Sequence, residues 1–517
     1  MRQKQNRRGV VQTVAAFGVL LALSCAALAA VPCARPNIIL ILADDLGYGD
    51  AGFSWQNMRA DGQPRIKTPA LDRLAADGAI LTDHYCAAPV CAPSRASLLL
   101  GRVQGRCSLR DNCFDRAFTE RDTLGSVLKD VGYATWAVGK WGIAGGGESG
   151  EPVSSHPLDR GFDYFYGFLD HLAGHTYYHY EGYVRNAFMG ITENRTNATA
   201  SAAGRYSTDL FAAKAKQLVT DHMRRSPEKP FFLYLAMNAV HGSGYTGDDV
   251  EEKAPLHVPG RPYPRDGVEW PLEPEERAAR NTWINPSYTN LPPAAARYAT
   301  AVTRLDEAIG DILRHLDRNG LAHDTLVIFT SDNGPADERG ADPRVFGSSG
   351  PFDGLKRDVF EGGMRVPAAV RWPDAIPAGT IDRSPSQSHD WMATLADVAG
   401  AACPEGTDGV SLLPRWTGRR AEPSLVYTQY EFPWEGASEA YREFRARKGP
   451  VRGLQQMVRS GDYVALRTRM REGGEGAKVR LYNVAEDPFQ TRDLSGDVSQ
   501  KERLAEMTAV LDARLRP

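Results

Sequence analysis

The chain has 517 residues, of which 42% are hydrophobic, and a formal net charge of −3. A chain of this length can bury one large core, or a large core and a smaller one. The near balance of charge excludes a basic nucleic-acid groove and an acidic tail, so the composition indicates a globular enzyme or binding protein with no nucleic-acid partner.

The N-terminus differs in kind from the rest of the chain. Basic side chains at positions 2, 4, 7 and 8 precede an apolar run at residues 10–30, which ends in the small-x-small pattern ALA at residues 27–29. We therefore predict a signal peptide at residues 1–30, export to the periplasm or the medium, and no stable membrane span after its removal. The pair Arg7-Arg8 could mark twin-arginine export, and Cys25 offers a lipoprotein route that the residues before it fit poorly.

The next elements along the chain alternate between strands and helices. A continuous apolar run predicts a buried strand at residues 37–43. The pair Thr68-Pro69 predicts the start of a helix, with Thr68 as the N-cap and Pro69 as the first helical residue. The later predictions are a helix at 123–131, strands at 133–138 and 231–236, a helix at 296–319 and a strand at 326–330. This alternation predicts an α/β fold with a mostly parallel central sheet sandwiched by helices.

The pattern of predicted strands and helices changes after about residue 409. Short strand-like runs at 463–467 and 479–482 precede a final helix at about 500–515. We therefore predict a catalytic α/β domain at residues 34–410 and a smaller C-terminal domain at residues 411–517, built on an antiparallel sheet and a helix.

The motif with the most chemical information is CAPSRASLLLGR at residues 91–102. Pro93 predicts a helix start and Gly101 its end, so Cys91 is expected at a helix N-terminus, where backbone N–H groups favour negative charge. Arg95 adds a fixed positive charge one turn further on. A cysteine in this place is reactive or modifiable, although a lone cysteine is more often a buried packing residue.

The motif resembles that of the type I sulfatases, the formylglycine-dependent arylsulfatase family of the alkaline phosphatase-like superfamily. In that family the cysteine of C-x-P-S-R is oxidised after translation to formylglycine. Six further segments resemble family motifs and occur in family order: PNIILILADDLGYG (36–49), GKW (139–141), PFFLYLAMNAVH (230–241), TSDNG (330–334), GLKRDVFEGGMRVP (354–367) and RLYNVAEDPFQTRDL (480–494). Because these segments span nearly the whole mature chain, the resemblance implies a sulfuric ester hydrolase.

Four oxygen-bearing side chains follow two of the predicted strands: Asp44, Asp45, Asp332 and Asn333. Hard oxygen ligands of this kind favour calcium or magnesium over zinc. Taken singly, each pair could instead be a solvated turn or a cap. The resemblance implies one Ca²⁺ per chain, with Mg²⁺ as the second choice, bound by these four residues and the residue derived from Cys91.

The resemblance also implies a mechanism in two steps. Formylglycine at position 91, produced by a formylglycine-generating maturation enzyme, is hydrated to a gem-diol. One hydroxyl attacks sulfur to form a covalent sulfate, and the other then loses its proton as sulfate leaves. The implied roles are stabilisation of the diol by Arg95, binding of sulfate oxygens by Lys140 and Lys356, and protonation of the leaving oxygen by His241.

One position departs from the family pattern. The usual G-K-W-H-x-G reads GKWGIAG at residues 139–145, so Gly142 stands where the family has the histidine often assigned to the second deprotonation. The nearby segment DHLAGHTYYHY at residues 170–180 offers His171, His175 and His179. We favour His175 as the replacement. The alternative is that these histidines and tyrosines line a substrate pocket or pack together.

Two other functions stay open at this point. A phosphonate or phosphate ester hydrolase of the same superfold can share the formylglycine motif and the metal site. A degenerate protein that only binds sulfated glycans would account for Gly142, although the other site residues are intact. We expect a sulfated glycan or an aryl sulfate as the substrate, since exported enzymes of the family act on both.

Overall fold

The computed structural model describes residues 35–112, 118–145, 155–179, 183–184, 187–242, 256–337, 342–432, 453–470 and 477–514. The predicted signal peptide therefore lies outside the described residues. Within these ranges, no helix combines the length and the hydropathy needed to cross a bilayer.

The described residues form eighteen strands and eleven α-helices. The strands are β1 (Asn37–Ala43), β2 (Ala79–Leu81), β3 (His84–Tyr85), β4 (Ala134–Lys140), β5 (Tyr164–Phe168), β6 (Tyr183–Val184), β7 (Ala187–Phe188), β8 (Thr192–Glu193), β9 (Thr196–Asn197), β10 (Phe231–Ala236), β11 (Thr325–Ser331), β12 (Ala369–Arg371), β13 (Thr380–Asp382), β14 (Ser386–Gln387), β15 (Val426–Phe432), β16 (Gly453–Ser460), β17 (Tyr463–Met470) and β18 (Arg480–Asn483). The helices are α1 (Pro69–Ala76), α2 (Cys91–Leu100), α3 (Leu124–Asp130), α4 (Thr199–Ala202), α5 (Ser207–Arg225), α6 (Pro293–Arg318), α7 (Pro343–Phe346), α8 (Glu361–Met364), α9 (Asp390–Ala399), α10 (Leu413–Trp416) and α11 (Lys501–Arg514).

A ten-stranded sheet in the order β13-β2-β12-β11-β1-β10-β4-β5-β8-β9 forms the centre of the molecule. Its five middle strands, from β11 to β5, are parallel, and antiparallel pairs flank them on both sides. The two faces of β1 pack into different apolar clusters, Ile39 and Ile41 with α5 and α6, and Ile38 and Leu40 with α2, α3 and α9. Burial on both faces explains why β1 is a continuous apolar run, and the predicted α/β fold is confirmed.

Several predicted elements occur with nearly the same bounds. The strands predicted at 37–43 and 231–236 are β1 and β10 without change, and the long helix predicted at 296–319 is α6. Helix α2 begins at Cys91 as predicted, and Gly101 ends it in the left-handed conformation at φ 65°.

The start of α1 is capped differently from the prediction. Thr68 occupies the cap position, but its hydroxyl accepts a hydrogen bond from the Gly52 N–H at 2.7 Å and none from the helix. The carboxylate of Asp306, on α6, instead accepts from the N–H groups of Ala70 at 3.1 Å and Leu71 at 2.8 Å. A side chain more than 200 residues away in sequence therefore accepts the hydrogen bonds that a local N-cap side chain would otherwise accept.

The C-terminal part forms the predicted antiparallel sheet, in the order β15-β16-β17-β18, with α11 packed on one face. Its other face packs against the segment that leads into Cys91, through an apolar cluster that includes Tyr85, Cys86 and Val90. The Gln455 amide also donates to the Arg357 carbonyl at 3.1 Å, next to Lys356. The smaller sheet thus supports two segments of the site, and the boundary at residues 410 and 411 stays a prediction.

Replacing Asp306 tests the tertiary cap. We expect Asp306→Ala to lower the free energy of unfolding by about 1–3 kcal/mol, because a buried and a half-buried helix N–H group lose their acceptor. Urea unfolding measures the loss. Asp306→Asn keeps one acceptor oxygen and should lose less, and an Ala variant as stable as the unmodified protein would contradict the assignment.

Candidate active site

The residues predicted to form a site meet at the carboxyl edge of the parallel strands. Asp44 and Asp45 follow β1, Asp332 and Asn333 follow β11, Lys140 ends β4, and His241 follows β10. The Asp45 N–H donates to Asp332 Oδ1 at 3.2 Å, which ties the two acidic segments together. Asp45 adopts φ 61°, a conformation that is rare outside glycine and that clusters at functional sites.

Cys91 is completely buried beside these carboxylates. Its Sγ lies 3.4 Å from Asp44 Oδ1 and 4.0 Å from Asp45 Oδ1. Burial, and after it the negative charge of Asp44, raise the pKa of the Cys91 thiol well above its usual range. The helix N-terminus was expected to favour negative charge here, but burial and the neighbouring carboxylate outweigh it. The unmodified thiol is therefore a poor nucleophile, since only the thiolate attacks efficiently.

Arg95 and Lys140 form ion pairs with the acidic groups of the site. The Arg95 guanidinium donates to Asp332 Oδ2 at 3.0 Å and 2.7 Å, and to the Lys140 carbonyl at 3.0 Å. Lys140 Nζ lies 2.7 Å from Asp44 Oδ2. Burial alone would raise the pKa of Asp44, but Lys140 and the other cations nearby outweigh it and hold that pKa well below its usual range. Burial, and then the charge of Asp44, raise the pKa of Asp332.

Lys356 and His241 form the opposite wall of the site. Lys356 Nζ lies 2.8 Å from Asp45 Oδ2 and 3.1 Å from His241 Nε2. His241 Nδ1 lies 2.8 Å from the Gly242 carbonyl, which can only accept, so Nδ1 carries the proton and Nε2 accepts from the Lys356 ammonium. Burial, and then the charge of Lys356, lower the pKa of His241 to about 4.

The donor set fits a hard cation. Ligand atoms of Asp44, Asp45, Cys91 and His241 all lie within 4.8 Å of one another. The Asn333 amide Nδ2 donates to Asp45 Oδ1 at 2.8 Å and to the Gly334 carbonyl at 2.9 Å, which fixes the orientation of the amide. The remaining atom, Asn333 Oδ1, is buried and has no hydrogen-bond partner among the described residues. A buried carbonyl oxygen of this kind could serve as a ligand of a hard metal ion.

The segment at residues 170–179 closes the side of the site next to Gly142. The His175 ring stacks on the His241 ring, with centroids 3.8 Å apart and 13° between the planes. His171 Nδ1 lies 3.1 Å from the Gly142 carbonyl. Tyr177 is fully buried, and its hydroxyl donates to the His241 carbonyl at 3.0 Å. The aromatic side chain of Tyr177 therefore packs beneath the site.

Residues 36–401 match the sulfatase family model. The chain belongs to the sulfatase family. It is 32% identical over 441 residues to the N-acetylgalactosamine-6-sulfatase of Canis lupus familiaris, covering 79% of this chain and 71% of the relative. It is also 32% identical over 455 residues to the human steryl-sulfatase, covering 74% of this chain and 70% of the relative.

A solved structure agrees with these sequence relatives. The crystal structure of Ps i-CgsB in complex with k-i-k-neocarrahexaose superposes with a TM-score of 0.69 at 26% identity, and covers 93% of this chain and 92% of that one. The sulfatase is accordingly an enzyme that hydrolyses sulfate esters, and the large mixed sheet with its smaller antiparallel partner is the fold of its structural relatives.

Sequence patterns located most of the site of this sulfatase. The predicted residues Cys91, Arg95, Lys140, His241 and Lys356 converge, and their individual roles stay predictions. Asn238 was missed as a supporting residue. Its Nδ2 donates to the Thr176 carbonyl at 2.8 Å, and its Oδ1 accepts from the Ser207 hydroxyl at 2.9 Å. Its position three residues before His241, within the resembling segment, was the only available signal.

The contact between Tyr177 and His241 gives a test. We expect Tyr177→Phe in this sulfatase to lower kcat roughly fivefold, because the His241 backbone loses a hydrogen bond of about 1 kcal/mol. Steady-state hydrolysis of an aryl sulfate measures the change. Tyr206→Phe is the matched control, since that hydroxyl donates to the His257 carbonyl at 3.1 Å and, among the described residues, makes no hydrogen bond to the catalytic cluster. Equal losses in both variants would argue against a specific role for Tyr177.

Proposed function

We propose that this sulfatase cleaves the sulfate ester of a glycan through a formylglycine derived from Cys91, with one bound calcium ion. The observation that carries the proposal is the cluster of carboxylates and cations around the buried residue 91, in which five of the predicted catalytic groups take part: Cys91, Arg95, Lys140, His241 and Lys356. An aryl sulfate is the alternative substrate. The N-acetylgalactosamine-6-sulfatase and the carbohydrate complex among the relatives support the glycan, whereas the steryl-sulfatase favours an aryl or steryl ester.

The nucleophile has to be a modified form of residue 91. Burial raises the pKa of the Cys91 thiol and so disfavours the thiolate, which is the form of cysteine that attacks efficiently. A formylglycine aldehyde, hydrated to a gem-diol, would present a hydroxyl to sulfur from the N-terminus of α2, and attack would produce a covalent sulfate on residue 91. The partner that installs the aldehyde is a formylglycine-generating maturation enzyme.

The charge of the site supports calcium and an anionic substrate. Three carboxylates (Asp44, Asp45 and Asp332) and three permanent cations (Arg95, Lys140 and Lys356) are each at most 2% exposed. These six charges balance, so a divalent ion would leave an excess of two positive charges, which suits binding of a sulfate group. Asp44, Asp45, residue 91, Asp332 and Asn333 would hold the ion, which when bound polarises the sulfate oxygens.

His241 and Lys356 are placed to supply the leaving-group proton together. His241 Nε2 accepts from Lys356 and carries no proton of its own in this arrangement. Protonation of a leaving oxygen by His241 therefore requires that the proton pass from the Lys356 ammonium to Nε2 as negative charge develops on that oxygen. Lys140, on the other side of Asp44, would bind a second sulfate oxygen, and Arg95 would act on the diol through the carboxylates that it holds.

Two alternatives have specific observations behind them. Gly142 favours a protein that binds sulfated glycans without turnover, and the phosphonate or phosphate ester hydrolases share the superfold. Among the described residues, one cluster of possible metal ligands occurs, and a two-metal phosphatase would require another. Turnover of an aryl sulfate above a Cys91→Ala control separates the sulfatase from a binding protein.

The proposal also covers the export of the chain and its division into domains. We propose removal of residues 1–30 on export to the periplasm or the medium, with Cys25 lipidation as the weaker route. Residues 34–410 would then form the catalytic domain, and residues 411–517 the smaller domain that supports Cys91 and Lys356.

The modification is tested by the mass of the peptide that carries residue 91. Trypsin should release residues 74–95, which contain both Cys86 and Cys91. After coexpression with a formylglycine-generating enzyme, we expect the aldehyde form of the peptide at a mass below that of the dithiol peptide, with fragmentation locating the aldehyde at residue 91. Cys86 is an internal control, because it lacks the motif and should stay a thiol. A peptide that keeps both thiols, under conditions that convert a known sulfatase, would refute the mechanism.

Calcium binding is tested by thermal and chemical unfolding. We expect chelation to destabilise the protein, and calcium at a hundredfold excess over its Kd to restore about 2.7 kcal/mol, with a smaller effect of magnesium at equal concentration. Asn333→Ala should reduce the calcium effect because it removes a ligand oxygen. Asn319→Ala, an exposed asparagine at the end of α6, is the control. An equal calcium shift in both variants would exclude Asn333 as a ligand.

A further inference from the structure

We propose that His175 is a positioning residue, whose imidazole ring holds the His241 ring at the angle from which His241 protonates a poor leaving group. This role rests on the proposed function, in which His241 delivers the leaving-group proton. It carries a consequence for specificity, because His175 then matters for the alkyl sulfates of glycans and little for activated aryl sulfates.

The His175 and His241 rings stack almost in parallel. Their centroids lie 3.8 Å apart, and the two planes differ by 13°. The terminal torsion of a histidine side chain is broad in itself. A ring stacked at this distance narrows it, because turning the His241 ring about its Cβ–Cγ bond would drive one ring edge into His175.

The angle of the His241 ring decides what its Nε2 atom can do. His241 Nδ1 lies 2.8 Å from the Gly242 carbonyl, and Nε2 lies 3.1 Å from Lys356 Nζ. One nitrogen of this ring also lies within 4.8 Å of Cys91 Sγ, so the ring stands beside the reacting group. A small change of angle would therefore move Nε2 away from both the proton source and the ester.

The stack is the contact of this ring that can persist during proton transfer. Nε2 has one bonding direction in the ring plane, so it can point at Lys356 or at the leaving oxygen but not at both. The hydrogen bond to Lys356 is therefore given up when the proton is delivered. Stacking on His175 uses the face of the His241 ring and none of its nitrogens.

The His175 ring is held in register with His241 by the backbone around it. It lies at the end of a short 3-10 turn, Ala173–His175, and the next carbonyl, of Thr176, accepts from Asn238 Nδ2 at 2.8 Å. Asn238 lies three residues before His241. The Tyr177 hydroxyl donates to the His241 carbonyl at 3.0 Å. Two hydrogen bonds thus join the segment of one stacked ring to the segment of the other.

The charge of His175 suits this place. Burial, and then the charge of His241, lower the pKa of His175, so its ring is neutral. A neutral ring can lie against His241 while His241 carries the transferred proton, whereas a second cation would repel it. The His171 ring packs His175 from the side, edge to face, with centroids 5.2 Å apart.

The consequence depends on the leaving group. The bond between sulfur and the ester oxygen breaks with its electrons on that oxygen, which takes the proton from His241 Nε2. A phenol with an electron-withdrawing substituent leaves readily as its anion, whereas the alcohol of a glycan needs the proton as the bond breaks. Loss of the stack therefore slows the cleavage of alkyl sulfates most, and His175 favours glycan esters over activated aryl esters.

The test uses formylglycine-containing protein and three aryl sulfates of rising leaving-group basicity, 4-nitrophenyl, phenyl and 4-methoxyphenyl sulfate. The ratio kcat/KM reports the first half-reaction alone, up to release of the phenol. In His175→Ala we expect kcat/KM to fall less than about threefold for the 4-nitrophenyl ester and more than about tenfold for the 4-methoxyphenyl ester. The dependence of rate on leaving-group basicity thus becomes steeper.

Two further variants separate the ring face from other properties of the residue. His175→Phe keeps a flat ring and has no ring nitrogen, and it should stay within about threefold of the parent protein on all three esters. His179→Ala is the matched control. This buried histidine of the same segment packs on Phe168, away from His241, and its loss should affect the three esters equally.

The outcomes are distinct. Equal losses on all three esters in His175→Ala, or a Phe variant as impaired as the Ala variant, would overturn the positioning role. An unchanged kcat/KM with a lower kcat on every ester would overturn it too, and would place His175 in the second half-reaction. A parent protein without the aldehyde would instead overturn the formylglycine mechanism. Should the Ala variant fail to fold, as judged by thermal unfolding, His175→Leu, which fills the space without a flat ring, replaces it.

Discussion

The structure depends on one constraint, the burial of three carboxylates and three permanent cations around residue 91. Charges removed from water are tolerated only when each has a partner, and loss of one member of a buried pair costs about 3–5 kcal/mol. Asp44 pairs with Lys140, Asp45 with Lys356, and Asp332 with Arg95. These partners lie on or next to β1, β4, β11, α2 and the loop after Pro351. A different arrangement of those elements would leave a buried charge without its partner.

Parts of the chain far from the chemistry hold this arrangement in place. The C-terminal sheet covers the segment before Cys91, and Arg459 from β16 contacts both Asp83 and the Tyr85 hydroxyl. Tyr85 in turn donates to Glu361 at 2.8 Å, beside the glycine-rich turn that follows Lys356. These distant contacts hold the segments around residue 91 in place, and a shift of about 1 Å at a catalytic group can cost a hundredfold in rate.

The turn at residues 170–175 packs against both Gly142 and Lys140. Removing the side chain at position 142 leaves room for the turn at residues 170–175 to approach, and Gly174 allows that turn to lie on Lys140. The same turn stacks His175 on His241.

The sequence alone was sufficient for the fold class, for β1, β10 and α6, and for the identity of the groups that converge on Cys91. Periodicity reports burial, and a motif reports residue type and spacing, both of which are local properties of the chain. Only the tertiary structure decided that Asp306 caps α1, that burial raises the pKa of the Cys91 thiol, and that His171 lies against Gly142. These features depend on where a side chain points and on the charges and solvent around it. Those are set by contacts between residues far apart in sequence, and no local pattern records them.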